Sequence, residues 1–92
     1  MQIRIFGKNG CAKCISTKNK FNFFISKYNL TEKIKLIFHD LETLEGMTEG
    51  AYHNVYKIPT TILEKDGQVL ARWEGEIPRS QHFIPYLKKN IR

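Results

Sequence analysis

Gly10-Cys11-Ala12-Lys13-Cys14 holds both cysteines of the chain. Its neighbours on each side give the pair its meaning. Upstream, Gln2 to Phe6 alternates polar and apolar residues with Ile3 and Ile5 on one face, which predicts a strand. Gly7-Lys8-Asn9-Gly10 has the composition of a loop. From about Ala12 to Tyr28 the period changes: Ile15 leads, and Phe21, Phe24, Ile25 and Tyr28 fall on one helical stripe expected to be buried. A strand running through a short loop into a helix puts Cys11 near the helix N-terminus. Unpaired backbone N–H groups and the helix dipole favour an anion there, so the thiolate is favoured. Cys11 is expected to be the exposed nucleophile. Cys14, one turn on, is close enough to close a disulfide with it. The expected chemistry is thiol–disulfide exchange.

Outward from this stretch, Asn29-Leu30-Thr31 closes the first helix. Ile34 to His39 predicts a second strand with Ile34, Leu36 and Phe38 sharing a face. Asp40 to Lys57 is less regular. Glu42 and Glu45 suit a first helical turn, and Leu44, Met47, Ala51 and Val55 make an apolar stripe. Gly46 and Gly50 weaken its first half, which places the start of a well-formed helix near Thr48. Ile58-Pro59 breaks the pattern. Thr60 to Leu63 and Val69 to Trp73 read as a hairpin around Lys65-Asp66-Gly67-Gln68, ended by Gly75. Pro78 or Ser80 opens a last helix with Phe83, Ile84, Leu87 and Ile91 as its apolar face, and Pro85 belongs in its first turn or at a kink.

The expected order is β-α-β-α-β-β-α. Two crossovers favour parallel pairing early, and the tight turn forces antiparallel pairing late. The fold class is therefore α/β, a four-stranded mixed sheet with helices on both faces. The 92 residues form one domain, 1–92, with room for a single core.

Composition narrows the classes. No apolar run approaches a membrane span and no charged leader precedes a hydrophobic stretch, so the chain reads as soluble and cytoplasmic. A secreted, disulfide-stapled domain carries more cysteines at wider spacings. A bridge from Cys11 to Cys14 closes too short a loop to add much through chain entropy, which points to chemistry rather than stapling. The formal charge of +6 is spread over Lys13, Lys18, Lys20, Lys27, Lys33, Lys35 and the tail from Lys88 to Arg92. Nucleic-acid readers cluster their basic residues, so a solvated lysine surface is the expected reading, with neither nucleic acid nor membrane as a partner.

With Cys-x-x-Cys after the first strand and Ile58-Pro59-Thr60 before the third, the chain resembles the thioredoxin superfamily over nearly its whole length. It is most similar to the short glutaredoxin-like members that lack thioredoxin's extra N-terminal strand and helix. The resemblance implies a cis Pro59 lying against Cys11 and an Ile58 backbone turned outward to pair with an extended substrate. It also implies protein disulfides as substrates, with Lys8, Lys13, Ile58, Pro59 and Thr60 in the docking surface. Lys8 matches a lysine that glutaredoxins often carry before the motif. Several positions depart from the family. Ala12-Lys13 replaces thioredoxin's Gly-Pro and glutaredoxin's Pro-Tyr, and no Trp precedes Cys11. Trp73 is expected to pack rather than react. Ile5 stands where thioredoxin places a buried acid, and Gly75 stands where glutathione-binding relatives show a glycine pair.

The expected enzyme is a protein disulfide oxidoreductase with no bound cofactor beyond the Cys11–Cys14 disulfide. It is monomeric and is recharged by a reductase, glutathione or another dithiol. The alternative is a metal-binding module or metallochaperone that uses the same two thiols. Zinc in a structural site takes four protein ligands, however, and His39, His53 and His82 form no spaced pair. A copper chaperone with Cys-x-x-Cys after its first strand has the order βαββαβ, ending on a strand.

Overall fold

The computed structural model describes residues 1–91; Arg92, counted above in the basic tail, lies outside them. Its elements run β1 (Gln2–Gly7), α1 (Ala12–Lys27), β2 (Lys35–Asp40), α2 (Leu44–Tyr52), β3 (Thr60–Lys65), β4 (Gln68–Glu74) and α3 (Ser80–Lys88). The four strands form one mixed sheet in the order β2-β1-β3-β4. Among the described residues no helix is long and apolar enough to cross a membrane.

β1 pairs parallel with β2, in register from Gln2–Lys35 to Gly7–Asp40. Its other edge pairs antiparallel with β3, Ile5 opposite Thr61 and Phe6 opposite Thr60. The second crossover therefore does not yield the parallel pair expected of it. The run of α2 explains why. Gly46, near its start, packs on the Asp40 backbone at the end of β2. Past its end, the carbonyls of His53 and Asn54 accept from the Arg72 guanidinium on β4, at 2.6 and 2.9 Å. The helix crosses the sheet instead of running back along it, so β3 begins at the end where β2 stopped and points the other way. The β3–β4 hairpin is antiparallel as expected. Asp66 and Gly67 both take positive φ, +52° and +80°, as the turn between twisted strands requires.

The core fills the face covered by α1 and α3. Ile3 and Ile5 of β1 and Leu63 of β3 meet Phe21 and Ile25 of α1 and Phe83 and Leu87 of α3. The Phe21 and Phe83 rings lie 4.2 Å apart, and fully burying each such side chain contributes about 1.5–3 kcal/mol. Trp73 packs against this cluster, as expected. Ile15 does not join it and is half exposed. Cys14, Thr17, Phe21 and Ile25 face the sheet, which turns Ile15 about 100° off that line at 3.6 residues per turn. Ile91 is also exposed, beyond the end of α3. Pro85 sits inside α3, the sixth of its nine residues, rather than in its first turn.

α1 ends as the sequence indicates. Asn29 takes φ +56°, the Leu30 amide reaches back to the Ile25 carbonyl (2.8 Å), and the Asn29 amide reaches that of Ser26 (3.0 Å). This is a Schellman closure, completed by the burial of Leu30 beside Ile25. α2 ends in the same way through Asn54 and Val55.

The start of α2 differs from expectation. It forms fully from Leu44, capped by Thr43, whose Oγ1 accepts from the Gly46 amide at 3.0 Å. The expected apolar stripe faces outward, with Leu44 and Met47 exposed. The buried residues are the two glycines, Gly46 and Gly50. A Cβ on Gly46 would collide with the Asp40 carbonyl, and one on Gly50 would lie 2.8 Å from Leu41 Cδ2. The glycines let α2 sit directly on the end of β2, and that close approach replaces the usual interlocking of side chains.

Candidate active site

Three strand ends lie abreast at one end of the sheet. Gly7 closes β1, Pro59 precedes β3, and Gly75 follows β4, by the register that pairs Phe6 with Thr60 and Thr60 with Glu74. The Ile58–Pro59 peptide is cis. The Gly75 amide donates to the Pro59 carbonyl at 2.8 Å, tying the β4–α3 loop to the start of β3. Gly75 takes φ +73°, a region open to glycine at little cost.

Above these ends the chain leaves β1 through Lys8-Asn9-Gly10. Gly10 turns it at φ +83°, and the Cys11 amide closes the loop on the Lys8 carbonyl at 3.3 Å. Cys11 is then the N-cap of α1. Its backbone is extended (φ −84°, ψ 107°), and its sulfur accepts from the Cys14 amide at 3.2 Å. A cap oxygen from Ser, Thr or Asp normally fills this place. Here the sulfur does, so the helix start offers a backbone donor directly to Cys11 Sγ. No acidic residue occupies the first turn to oppose a negative charge.

Cys11 and Cys14 are joined as a disulfide with their Cα atoms 5.2 Å apart. The two sulfurs differ in access. Cys11 is part exposed, whereas Cys14 is 0% exposed and packs over Gly7. An incoming sulfur can therefore reach only Cys11.

Of the other expected site residues, Lys8 and Lys13 adjoin the pair in sequence, and Ile58, Pro59 and Thr60 lie at the end of the sheet where β1 ends. Lys8 and Lys13 are exposed, and Ile58 is partly exposed. Pro59 is buried. Thr60 is also buried, and its hydroxyl donates to the Lys57 carbonyl at 2.6 Å. Thr60 thus fastens the turn that carries Ile58 and Pro59.

A polar cluster between α2 and the sheet escaped the sequence reading. Arg4 Nε donates to Glu64 at 2.7 Å, and its Nη1 lies 3.0 Å from His39 Nε2 and 3.5 Å from Glu49. His39, 2% exposed, holds Glu45 through Nδ1 at 2.9 Å. Arginine keeps its protons, so it must be the donor to His39 Nε2, and Nδ1 is left as the donor to Glu45. His39, Glu45 and Glu49 bring three potential ligand atoms within 4.8 Å of one another, but the Arg4 guanidinium already bonds two of these residues. The arrangement is an ion-pair network, and it includes neither cysteine. An arginine between Ile3 and Ile5 was the one signal of it in the sequence. His53 lies tilted against the Phe6 ring, centroids 5.6 Å apart, and its pKa is lowered from the ordinary value by burial and then by the charge of Arg4.

No protein-family model and no curated protein sequence matches the chain. Solved structures do. A malarial protein superposes with a TM-score of 0.78 at 23% identity, over 99% of this chain and 97% of its own. Thioredoxin-2, described as a component of the malaria parasite protein secretion machinery, gives 0.78 at 24%, over 96% of this chain and 81% of its own. Thioredoxin 1 from the thermophilic eubacterium Thermosipho africanus gives 0.70 at 19%, over the full length of both. The chain has the thioredoxin fold. Within it, Cys11 and Cys14 stand at the start of the first helix, the cis Ile58–Pro59 peptide precedes β3, and the chain's elements close on α3. The βαββαβ order of the small copper chaperones is therefore not the one adopted.

Proposed function

We propose that the protein is a thiol–disulfide oxidoreductase that exchanges electrons with protein disulfides through Cys11 and Cys14. The supporting observation is the asymmetry of the pair. Cys11 is reachable, caps α1 and receives the Cys14 amide, while Cys14 is bonded to it from a buried position.

In the reducing direction the Cys11 thiolate attacks one sulfur of a substrate disulfide. A bond forms between Cys11 and that sulfur, and the other substrate sulfur leaves as a thiolate and takes a proton from solvent. Cys14, deprotonated to solvent, then attacks Cys11 Sγ. The Cys11–Cys14 bond forms, the second substrate thiolate leaves, and two electrons have passed to the substrate. Ile58 and Pro59 form the docking edge, Thr60 fixes its turn, and Lys8 and Lys13 add positive charge at its rim. A reductase, glutathione or another dithiol protein returns the pair to the dithiol state. We place this single-domain enzyme in the cytoplasm and treat it as a monomer.

The deciding experiment equilibrates the protein against dithiothreitol or glutathione buffers and counts alkylated thiols by mass. A reversible two-electron couple between about −270 and −180 mV, where thioredoxins, glutaredoxins and disulfide isomerases lie, supports the assignment. A pair that forms no intramolecular disulfide, or that arrives loaded with metal, supports the metallochaperone instead.

A further inference from the structure

Thr61 is fully buried, and its Oγ1 has no hydrogen-bond partner among the described residues. Its surroundings make that unusual. It pairs directly with Ile5 on one side and Trp73 on the other, so all three share the sheet face covered by α1. The core residues gathered on that face, Ile3, Ile5, Leu63, Phe21 and Phe83, are apolar. A buried hydroxyl in such company is costly unless something takes its hydrogen bond.

The next position on β1 along this face is Gly7. Its missing side chain is replaced by Cys14, whose Sγ lies 2.6 Å from where a Cβ would stand. The Cys14 sulfur is therefore the diagonal neighbour of Thr61 on the sheet. While the Cys11–Cys14 bond is closed, that bond holds the rotamer of Cys14. When it opens, χ1 of Cys14 is free to select another staggered position.

We propose that the Thr61 hydroxyl donates to the Cys14 sulfur in the dithiol and mixed-disulfide states, and so positions and stabilises the thiolate that resolves the mixed disulfide. This rests on the redox reading above and deepens it. Thr61 keeps its own proton throughout. The Cys14 proton goes to solvent, the Cys14 thiolate attacks Cys11 Sγ, the Cys11–Cys14 bond forms, and the Cys11–substrate bond breaks to release a thiolate that is protonated by solvent. Thr61 lies on the strand beside Ile5, so this donation would give the sulfur a polar partner although position 5 carries no acid. Thr17 of α1 is unavailable as a donor because its hydroxyl donates to the Lys13 carbonyl at 2.8 Å.

Thr61→Val removes the hydroxyl at constant shape, and Thr61→Ser keeps it. Donation to sulfur stabilises the reduced protein, so Thr61→Val should lower the dithiol-to-disulfide ratio about tenfold in a given buffer, a potential about 30 mV more negative. It should also move the pH profile of mixed-disulfide resolution upward. Thr61→Ser should return both to the wild-type values. A merely structural hydroxyl would change the melting of both redox forms together and leave the potential in place, and a Thr61→Val protein with wild-type potential and pH profile overturns the proposal. Thr61→Ala carries the same comparison should the valine protein fail to fold. Failure of the wild-type pair to show any reversible couple would instead overturn the oxidoreductase assignment itself.

Discussion

The sulfur of Cys14 occupies the space that a side chain at Gly7 would fill, 2.6 Å from the position of its β-carbon. The first strand thus ends on a glycine so that the first helix can set its second cysteine down on the sheet. This contact buries Cys14 while Cys11, three residues earlier, remains reachable at the helix cap.

Gly7→Ala tests that contact directly. The new methyl group would meet Cys14 Sγ, Cys14 Cβ at 2.8 Å and Phe38 Cζ at 3.3 Å. Overpacking of this kind costs about 1–3 kcal/mol. The urea midpoint of the oxidised protein should fall, and thiol alkylation after reduction should show Cys14 more accessible than in the wild type.

Cys11→Ser should abolish turnover of protein disulfides, because the remaining thiol is 0% exposed. Cys14→Ser should leave a mixed disulfide between Cys11 and substrate, isolable on a non-reducing gel. Full-rate turnover by Cys14→Ser in the absence of glutathione would sink the two-cysteine mechanism.

Gly46→Ala and Gly50→Ala should part company although both replace a helical glycine. Alanine gains about 1 kcal/mol of helix propensity at either site. At Gly46 the added Cβ runs into the Asp40 backbone, which cannot yield without moving β2 or α2. The clash wins, and the net loss should be about 2 kcal/mol. At Gly50 the obstacle is the tip of the Leu41 side chain, which can rotate, so that variant should lie near the wild type in chemical denaturation.

Arg4→Met should destabilise the fold by about 2 kcal/mol, between the values for exposed and fully buried ion pairs. It leaves Glu64, Glu49 and His39 without the guanidinium that joins them. Arg4→Met combined with Glu64→Met should recover part of the loss, because the second change removes the stranded carboxylate. Equal denaturation midpoints for Arg4→Met and the wild type would show that the network contributes nothing.

His53 sets a pH dependence. Burial first, and the Arg4 charge second, hold it below its ordinary value of 6.5. The folded protein therefore releases this proton at a lower pH than the unfolded chain. Between the two values the unfolded state binds more protons, so stability rises with pH there, is complete above the unfolded value, and is lost as pH falls toward the folded one. His53→Gln should flatten the stability profile below about pH 6.5, read from urea midpoints across that range.

The order of elements, the hairpin turn and the redox pair were legible from local chemistry. Alternation in Gln2 to Phe6, the i, i+3, i+4, i+7 run from Phe21 to Tyr28 and the Asp66-Gly67 turn each depend on residues close in sequence, and each forms where expected. The same holds for Cys11 at the helix cap, since a strand, a glycine-containing loop and a helix determine that place by themselves. Local signals misled where a contact between distant segments decided the outcome. In α2 the glycines read as weak points, yet they are the face that meets β2, and the apolar residues Leu44 and Met47 point outward.

Tertiary structure alone determined three further features. The direction of β3 follows from α2 crossing the sheet from Asp40 to Arg72, and no local pattern in Asp40 to Lys57 carries that path. The Arg4 network joins residues from β1, β2, α2 and β3 that become neighbours only when the sheet is assembled. Thr61 reads in sequence as one more strand residue, and becomes a buried hydroxyl without a partner among the described residues only through its register with Ile5. Sequence specifies what each segment prefers, because propensity and periodicity act over a few residues. Which segments touch depends on how the whole sheet packs, and the character of this site depends on those contacts.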